Sequence, residues 1–287
     1  MKPVVLFSKD ISPEGIEKIY EALSVSLPKK IALKLHSGEE GNQNYLGPEY
    51  YKSIVKKLNA TVVEANTAYP GERDTNEKHL ALLKRHGWST SFNVDLLDEY
   101  GEVAWPVNGG KRLKEDFVGK DLENYSSLLV VSHFKGHPMG GYGGALKQLS
   151  IGCASSHGKK EIHTVNGETS IWQPIQDHFL EAMADAAKAV YDHFYPHVAF
   201  INVMKNMSVD CDCCSVAEDP CLKDIGVLAS IDPVAVDQAC IDLVMKSNDP
   251  GKAHFMERVN SRHGIHTIEA AAELGIGSRE YTLKEIK

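Results

Sequence analysis

Short apolar runs alternate with stretches whose apolar residues recur every three or four positions along most of the chain. This alternation is typical of parallel strands joined by helical crossovers. It predicts strands at residues 4–7, 30–35, 61–64, 127–131, 198–203 and 226–231. It predicts helices at residues 14–24, 48–58, 77–86, 174–193 and 233–245, and a helical tail over 253–274 that breaks near Gly264. We therefore expect an α/β fold in which helices flank a mostly parallel or mixed sheet.

Start and stop signals sharpen several of these boundaries. Ser12 precedes a proline, as does Asp232, and a capping side chain followed by a first-turn proline is a common way to begin a helix. Gly87 follows the helix predicted over 77–86, where glycine commonly ends a helix. Residues 88–124 carry no clear period, and we assign them no secondary structure.

Composition narrows the class of protein. The chain has 287 residues, of which 43% are hydrophobic, and 31 basic against 39 acidic residues give a net charge of −8. Nucleic acids and anionic membranes require a basic face, so neither is an expected partner. No signal peptide precedes the first strand, and no apolar stretch approaches the roughly 20 residues of a membrane span. These features predict a cytoplasmic protein and indicate no oligomeric state.

No repeat or linker marks a domain boundary. We expect a single α/β domain over residues 1–287, with two intimate subdomains that meet near residues 125–160 as the alternative. In either arrangement, a ligand site is expected at the carboxyl ends of the strands, where open α/β sheets bind small molecules.

A glycine-rich segment over residues 132–153 follows the strongest strand candidate and leads toward a helix. Glycines there allow backbone N–H groups to turn toward a bound anion, and lysines supply charge. The spacing matches neither a P-loop nor a dinucleotide fingerprint. The alternative is a close-packed turn whose histidines bond to the main chain. The candidate ligand-binding residues of the segment are His133, Lys135, His137, Gly143, Gly144 and Lys147.

Polar side chains also follow two earlier strands. Lys34 and His36 lie at the end of the strand predicted over 30–35, and Arg73 follows the strand predicted over 61–64. The carboxyl ends of parallel strands share one edge of a sheet, so we expect these groups to join the glycine-rich segment in one site for a small anionic molecule.

Four of the six cysteines fall within eleven residues, in the pattern C-x-C-C-x₆-C. Thiolates bind zinc and iron, and clustered cysteines in a reducing compartment are more often metal ligands than disulfides. The spacing differs from that of bacterial ferredoxins, and adjacent cysteines are awkward ligands for one ion. Unligated thiols or a redox-labile pair are the alternative. The candidate metal ligands are Cys211, Cys213, Cys214, Cys221 and Cys153, for an iron–sulfur cluster or a single iron or zinc ion.

Several of these motifs, at residues 34–39, 66–73, 132–154, 211–214 and 224–233, resemble those of the Domain of Unknown Function 362 family, described as uncharacterised Fe–S centre proteins. The resemblance implies an iron–sulfur centre. Many members carry an inserted ferredoxin module after the segment that matches residues 158–163. Residues 161–174 of this chain contain no cysteine, so its metal would have to use the cluster at 211–221, with Cys153 or nearby histidines.

Three functions are consistent with these observations. The first is a redox metalloprotein with an anionic small-molecule cleft and a redox protein partner. The second is a non-redox zinc- or iron-dependent enzyme or binding protein for a phosphate- or carboxylate-bearing ligand. The third is a scaffold with unligated cysteines. No residue pair is identified as acid and base, because titration depends on burial that a sequence does not report.

Overall fold

One eight-stranded sheet runs through the protein in the computed structural model, which describes residues 2–165, 167 and 170–286. The strands of the described residues are β1 (Val4–Ser8), β2 (Ile31–Lys34), β3 (Thr61–Glu64), β4 (Val94–Leu96), β5 (Glu102–Pro106), β6 (Glu115–Gly119), β7 (Ser127–His133), β8 (Lys135–His137), β9 (Gly141–Gly143), β10 (Val198–Met204), β11 (Gly226–Ser230) and β12 (Thr282–Glu285). The pairs β5–β6 and β8–β9 form separate hairpins.

Helices lie on both faces of this sheet. They are α1 (Pro13–Leu23), α2 (Lys52–Leu58), α3 (Asn76–Arg85), α4 (Trp88–Ser91), α5 (Ala145–Cys153), α6 (Ser156–His163), α7 (Gln176–Phe194), α8 (Pro233–Lys246), α9 (Lys252–Ser261) and α10 (Ile265–Glu273). Short 3₁₀ turns occur at Pro48–Tyr51 and Lys120–Asn124. Among the helices of the described residues, none is both long enough and apolar enough to cross a membrane.

The sheet is mixed but mostly parallel. Its order is β12-β1-β11-β10-β7-β2-β3-β4, and the run from β10 to β4 is parallel throughout. β11 pairs antiparallel with both β1 and β10, and β12 pairs parallel with β1. The predicted fold class, a mostly parallel or mixed sheet with flanking helices, is therefore confirmed.

Strand β7 lies in the interior of the sheet and is buried along its whole length. Leu128 and Val130 pack into one hydrophobic cluster with α5, α7 and α8, while Leu129 and Val131 pack into the opposite cluster with α1 and α2. A parallel strand covered on both faces is apolar at every position, which is why residues 127–131 form a continuous apolar run.

The predicted helix starts have the expected caps. The Ser12 hydroxyl accepts a hydrogen bond from the Gly15 N–H at 3.1 Å, and a carboxylate oxygen of Asp232 accepts one from the Ala235 N–H at 2.8 Å. Gly87 has φ +83° just after α3, a left-handed conformation that glycine adopts without strain.

The six predicted strands and the longer predicted helices are present with ends shifted by one or two residues. Residues 48–58 differ from the prediction, because a 3₁₀ turn precedes α2. The unassigned residues 88–124 contain α4, the three-residue edge strand β4 and the β5–β6 hairpin. These elements are too short to show a hydrophobic period.

The loops that leave β2, β7 and β10 meet at the carboxyl edge of the sheet. The loop after β10 carries the cysteine cluster, and we call residues 210–221 the cysteine loop. The Glu39 N–H donates to the Asp212 carbonyl at 2.8 Å, and the Gly136 N–H donates to the Ser208 carbonyl at 2.7 Å. The Asn42 amide donates to the Cys214 carbonyl at 2.8 Å. Hydrogen bonds from the loop after β2 and from β8 therefore hold the cysteine loop, and the segment that leads into it, across the strand ends.

Candidate functional site

A cavity of about 290 Å³ opens at this edge of the sheet, between α5, α6 and the loops after β2, β3 and β7. At its mouth, the rings of Tyr69 and Trp172 lie 5.6 Å apart, and Trp172 is 61% exposed. The predicted site residues that line the cavity are Lys34, His36, Arg73, His137, Lys147, Cys213 and Cys214. The structure thus places in one cavity predicted residues that are more than one hundred positions apart in the chain.

Sulfur and imidazole groups gather on one wall of the cavity. The donor atoms of His137, Cys211 and Cys213 all lie within 4.8 Å of one another, and the Cys213 sulfur is 3.9 Å from His137 Nε2. A hydrogen bond with the Cys213 thiol, together with burial, raises the pKa of Cys211 to about 11. Metal binding would therefore have to displace thiol protons here. The arrangement is compatible with a site for one thiophilic metal ion.

The hydrogen bonds of His137 decide which of its nitrogens carries the proton. Nδ1 accepts from the Met139 N–H at 3.2 Å and the Gly140 N–H at 2.9 Å. Burial lowers the pKa of His137 to about 4, so the ring is neutral at neutral pH and its one proton lies on Nε2. Histidines that ligate metals normally donate from the second nitrogen, whereas His137 accepts there. His137 is therefore arranged to donate its Nε2–H toward sulfur.

Two of the predicted metal ligands lie apart from this group. Cys153 is buried in the core at the end of α5, and its thiol donates to the Gln148 carbonyl. The Cys221 thiol donates to the Met207 carbonyl at 3.4 Å, and this side chain does not line the cavity. Among the described residues, the structure thus brings Cys211, Cys213 and Cys214 together without a fourth thiolate. These donors fit a single ion and do not fit an iron–sulfur cluster held by four cysteines.

His133 and Lys135 hold the cysteine loop in place. The Asp212 carboxylate lies 2.9 Å from His133 Nδ1 and 2.8 Å from Lys135 Nζ, with all three side chains buried. His133 Nε2 also lies 2.6 Å from the Lys205 carbonyl. Burial alone would raise the pKa of Asp212, but His133 and Lys135 outweigh it and hold that pKa well below its usual range. His133 and Lys135, which were predicted to bind a ligand, therefore contact the buried Asp212 carboxylate instead.

The glycines before α5 face a second internal carboxylate. Asp237 on α8 accepts hydrogen bonds from the Ala145 N–H at 2.8 Å and the Leu146 N–H at 3.0 Å. A Cβ at Gly144 would lie 2.5 Å from an Asp237 oxygen, so glycine is needed for this close approach. Gly143 packs between the carbon stems of two lysines. The helix N-terminus that suggested an anion site thus already holds the Asp237 side chain.

Two cations of the cavity are partly satisfied by buried carboxylates. Lys34 Nζ lies 2.6 Å from Glu64, whose other oxygen accepts from the Ser37 N–H. Burial raises the pKa of Glu64, but the Lys34 ammonium lowers it further, so that the net pKa is well below the usual range. Arg73 Nε donates to Glu39 at 3.1 Å.

The remaining donors of this wall face the cavity without an acceptor. His36 Nδ1 accepts from the Gly38 N–H at 3.0 Å, so its proton lies on Nε2, which is 3.5 Å from Arg73 Nη1. Two donors therefore face each other. Lys147 has no hydrogen-bond or ion-pair partner within the part of the chain that the structure describes. Unsatisfied donors of this kind favour an anionic ligand.

Several lining residues were missed by the sequence reasoning: Glu64, Gln148, Lys159 and His163. The last two lie on α6, which the hydrophobic period did not reveal. The one available signal was Ser155, whose hydroxyl caps the helix by accepting from the Gly158 N–H at 2.9 Å. His163 Nδ1 lies 2.6 Å from the Lys159 carbonyl and donates to it, which leaves Nε2 unprotonated. His163 therefore presents a lone pair where His137 presents a proton.

Comparison with known proteins identifies a family. A family model described as "Domain of unknown function (DUF362)" matches residues 31–242. No curated protein matches the chain. The lactate racemase apoprotein from Thermoanaerobacterium thermosaccharolyticum is similar over 83% of this chain and 56% of its own, at 12% identity and a TM-score of 0.44. A structural genomics target from Thermotoga maritima is similar over 91% of this chain and 58% of its own, at 11% identity and a TM-score of 0.45. The chain thus spans little more than half the length of either.

Proposed function

The chain belongs to the DUF362 family, and from that premise we propose that it binds one thiophilic metal ion through cysteine thiolates beside a pocket for an anionic small molecule. The observation that carries the proposal is the grouping of the Cys211 and Cys213 sulfur atoms with one ring nitrogen of His137, all within 4.8 Å of one another, next to the cavity that Cys213 and His137 line. Cys214 lines the same cavity and adds a third thiol beside them.

Sulfur donors select the class of metal. Thiolates favour zinc, iron and copper(I) over magnesium or calcium. The described residues supply fewer than four sulfurs here, and an incomplete donor set leaves coordination positions open to a ligand or water, as in catalytic zinc sites. Donation from His137 Nε2–H to a ligating sulfur would stabilise the thiolate form.

The cavity supports the second half of the proposal, the pocket for an anionic small molecule. Lys147 lies beside the sulfur atoms and has no carboxylate partner among the described residues, and its charge acts on Cys213 and His137. Apolar walls, such as Ile151 on α5, exclude water and strengthen the attraction between this ammonium and a bound anion. A carboxylate or phosphate group next to the sulfur atoms is the ligand that this arrangement favours.

Titration with cobalt(II) under anaerobic conditions tests the metal site directly. Cobalt(II) bound to thiolate gives near-ultraviolet charge-transfer bands whose intensity rises with the number of sulfurs. We expect one equivalent of Co²⁺ to give these bands, zinc to displace it, and the Cys211→Ser and Cys213→Ser variants to lose them. Cys221→Ser is the matched control and should retain them. Loss of the bands in Cys221→Ser alone, or their absence in the wild type, would contradict the single-ion site.

A redox role is the second candidate, because the adjacent thiols of Cys213 and Cys214 both line the cavity. An iron centre there would exchange electrons with a redox protein partner in a reducing cytoplasm, where the cysteines stay free thiols. Anaerobic iron-loaded protein would then show a visible spectrum that bleaches with dithionite and returns on reoxidation. A spectrum insensitive to both reagents would favour the non-redox alternative, with zinc or iron as a Lewis acid.

A further inference from the structure

Strand β2 and helices α5 and α6 contribute polar groups that the metal site does not use. We call Lys34, Gln148, Gly152 and Lys159, which all line the cavity, its basic floor. Lys147 lies in the first turn of α5 and Gly152 in the last, five residues and about 7.5 Å of helix further along, where the Gln148 side-chain oxygen also lies.

The side-chain amide of Gln148 shows most clearly that a polar group of the floor lacks a hydrogen-bond acceptor. The side chain is only 8% exposed, and its Nε2 has no hydrogen-bond partner among residues 2–165, 167 and 170–286. A buried amide donor without an acceptor is unfavourable, because it has lost its hydrogen bonds to water. Nε2 is itself buried, so rotation of the side-chain amide would turn this donor toward a ligand oxygen in the cavity.

Gly152 keeps this part of the floor open. A Cβ at Gly152 would lie 2.6 Å from the Gln148 side-chain oxygen and 2.9 Å from Lys34 Cε. Any side chain there would displace the amide and the ammonium from the cavity. Glycine therefore allows the two polar groups to lie side by side under the same ligand.

Lys159 adds a buried cation to the same surface. It is 7% exposed, and its Nζ donates to the Ala154 carbonyl at 2.6 Å. No carboxylate of the described residues lies within ion-pair distance of it, and burial lowers its pKa to about 8. An ammonium has three donors, so this group has two left for a ligand.

From these contacts we infer that the cavity takes a short linear molecule with two acidic groups, one beside Lys147 at the sulfur end and the other on the basic floor. The inference rests on the proposed function and specifies its ligand as a dicarboxylate. Between the two ends, Ile151 lines the cavity one turn of helix after Lys147, where it would contact a carbon chain. Two separated donor groups select for ligand length as well as charge.

Calorimetric titration of the full-length wild-type protein with simple acids tests the inference. The probes are succinate, glutarate and adipate, each compared with the monocarboxylate of the same carbon number. We expect at least one diacid to bind about tenfold or more tightly than its monocarboxylate, since its second carboxylate would form charge-assisted hydrogen bonds on the floor. Equal affinities across all three pairs would overturn the inference.

Two variants locate the second acidic group. Gln148→Leu should weaken the preferred diacid about tenfold and leave its monocarboxylate counterpart within about twofold. Lys160→Met is the matched control, because it removes a neighbouring cation on α6 that does not line this cavity, and it should change neither affinity. If Gln148→Leu binds the diacid as tightly as the wild type does, no acidic group lies on the floor.

The cobalt spectrum separates this inference from the proposed function. Gln148→Leu should retain the thiolate bands, because its amide lies away from the sulfur atoms. Intact bands with no preference for diacids would overturn the inference alone. Absence of both cobalt binding and any anion binding in the wild type would overturn the proposed function and the inference with it.

Discussion

The two ends of helix α5 differ in whether their hydrogen-bond donors already have an anionic partner within the protein. At the first turn, the free N–H groups of Ala145 and Leu146 bond to Asp237, so the protein supplies its own anion. Toward the other end, where α5 lies beside α6, Gln148 and Lys159 line the cavity, Gln148 Nε2 has no acceptor among the described residues, and Lys159 Nζ donates only to the Ala154 carbonyl. Glycine content would have placed a ligand at the first turn. From this difference we expect a bound anion where donors are left unsatisfied rather than where the backbone is rich in glycine.

Two lysines show the same contrast at closer range. Lys135 and Lys147 both pass close to Gly143, with their stems 3.5 and 3.7 Å from the position of a Cβ there. Lys135 forms a buried ion pair with Asp212, whereas Lys147 forms no ion pair among the described residues. The first lysine is therefore structural, and the second is available to a ligand.

The largest expected effect on stability comes from the N-terminal end of α5, where Asp237 accepts the free N–H groups. All the neighbours of the Asp237 carboxylate donate to it: Ala145 N–H, Leu146 N–H, the Asn202 amide at 2.7 Å and the Tyr142 hydroxyl at 3.0 Å. Burial raises the pKa of Asp237 to about 6, so at pH 8 the group is ionised. Asp237→Asn would turn an NH₂ group toward these donors and should lower the free energy of unfolding by about 3 kcal/mol in urea titrations.

Asp219→Asn is the matched control, because Asp219 is exposed on the cysteine loop and the same chemical change there should alter stability by less than about 0.5 kcal/mol. If Asp237→Asn is as stable as the wild type at pH 8, the negative charge of Asp237 does not stabilise the N-terminal end of α5.

The second prediction tests the two lysines against each other. Lys135→Met leaves the buried Asp212 carboxylate without its ammonium partner and should cost about 2–3 kcal/mol of unfolding free energy, measured in urea. Lys147→Met breaks no ion pair and should stay within about 0.5 kcal/mol of the wild type. The same Lys147→Met variant should bind succinate, or the diacid preferred by the wild type, about tenfold more weakly. A larger loss of stability in Lys147→Met than in Lys135→Met would contradict the structural role of Lys135 and the ligand-binding role of Lys147.

The smallest effect concerns pH and the histidines near the cavity. Burial lowers the pKa of His79 to about 3 and that of His163 to about 4, from an ordinary value of 6.5. The unfolded chain therefore binds more protons than the folded chain below pH 6.5, and stability that is complete above that pH is lost as the pH falls. We expect a loss of roughly 1–2 kcal/mol per histidine between pH 7.5 and pH 5.

His163→Gln should reduce that slope, because glutamine does not titrate. His263→Gln removes an exposed ring instead and should keep the wild-type slope in thermal unfolding followed by circular dichroism. A slope unchanged by His163→Gln would mean that this ring is not held neutral in the folded protein.

Local patterns were enough for most of the sheet and its main helices. Residues 127–131 predicted a strand because a strand covered on both faces must be apolar throughout, and Ser12 and Asp232 predicted helix starts because capping is a contact between near neighbours in the chain. Helix α6 was missed, and with it Lys159 and His163, because its short amphipathic pattern is interrupted by glycine and lysines.

The sequence by itself determined the alternation of strands and helices, the family resemblance and the gathering of candidate residues at the carboxyl edge of the sheet. Only the tertiary structure decided which candidates face the cavity and which are already paired, such as Lys135 with Asp212 and Gly144 with Asp237. The physical reason is the range of the interactions. Strand periodicity and helix caps depend on residues a few positions apart, whereas an ion pair across 77 positions or a close approach across 93 depends on how the whole sheet is assembled.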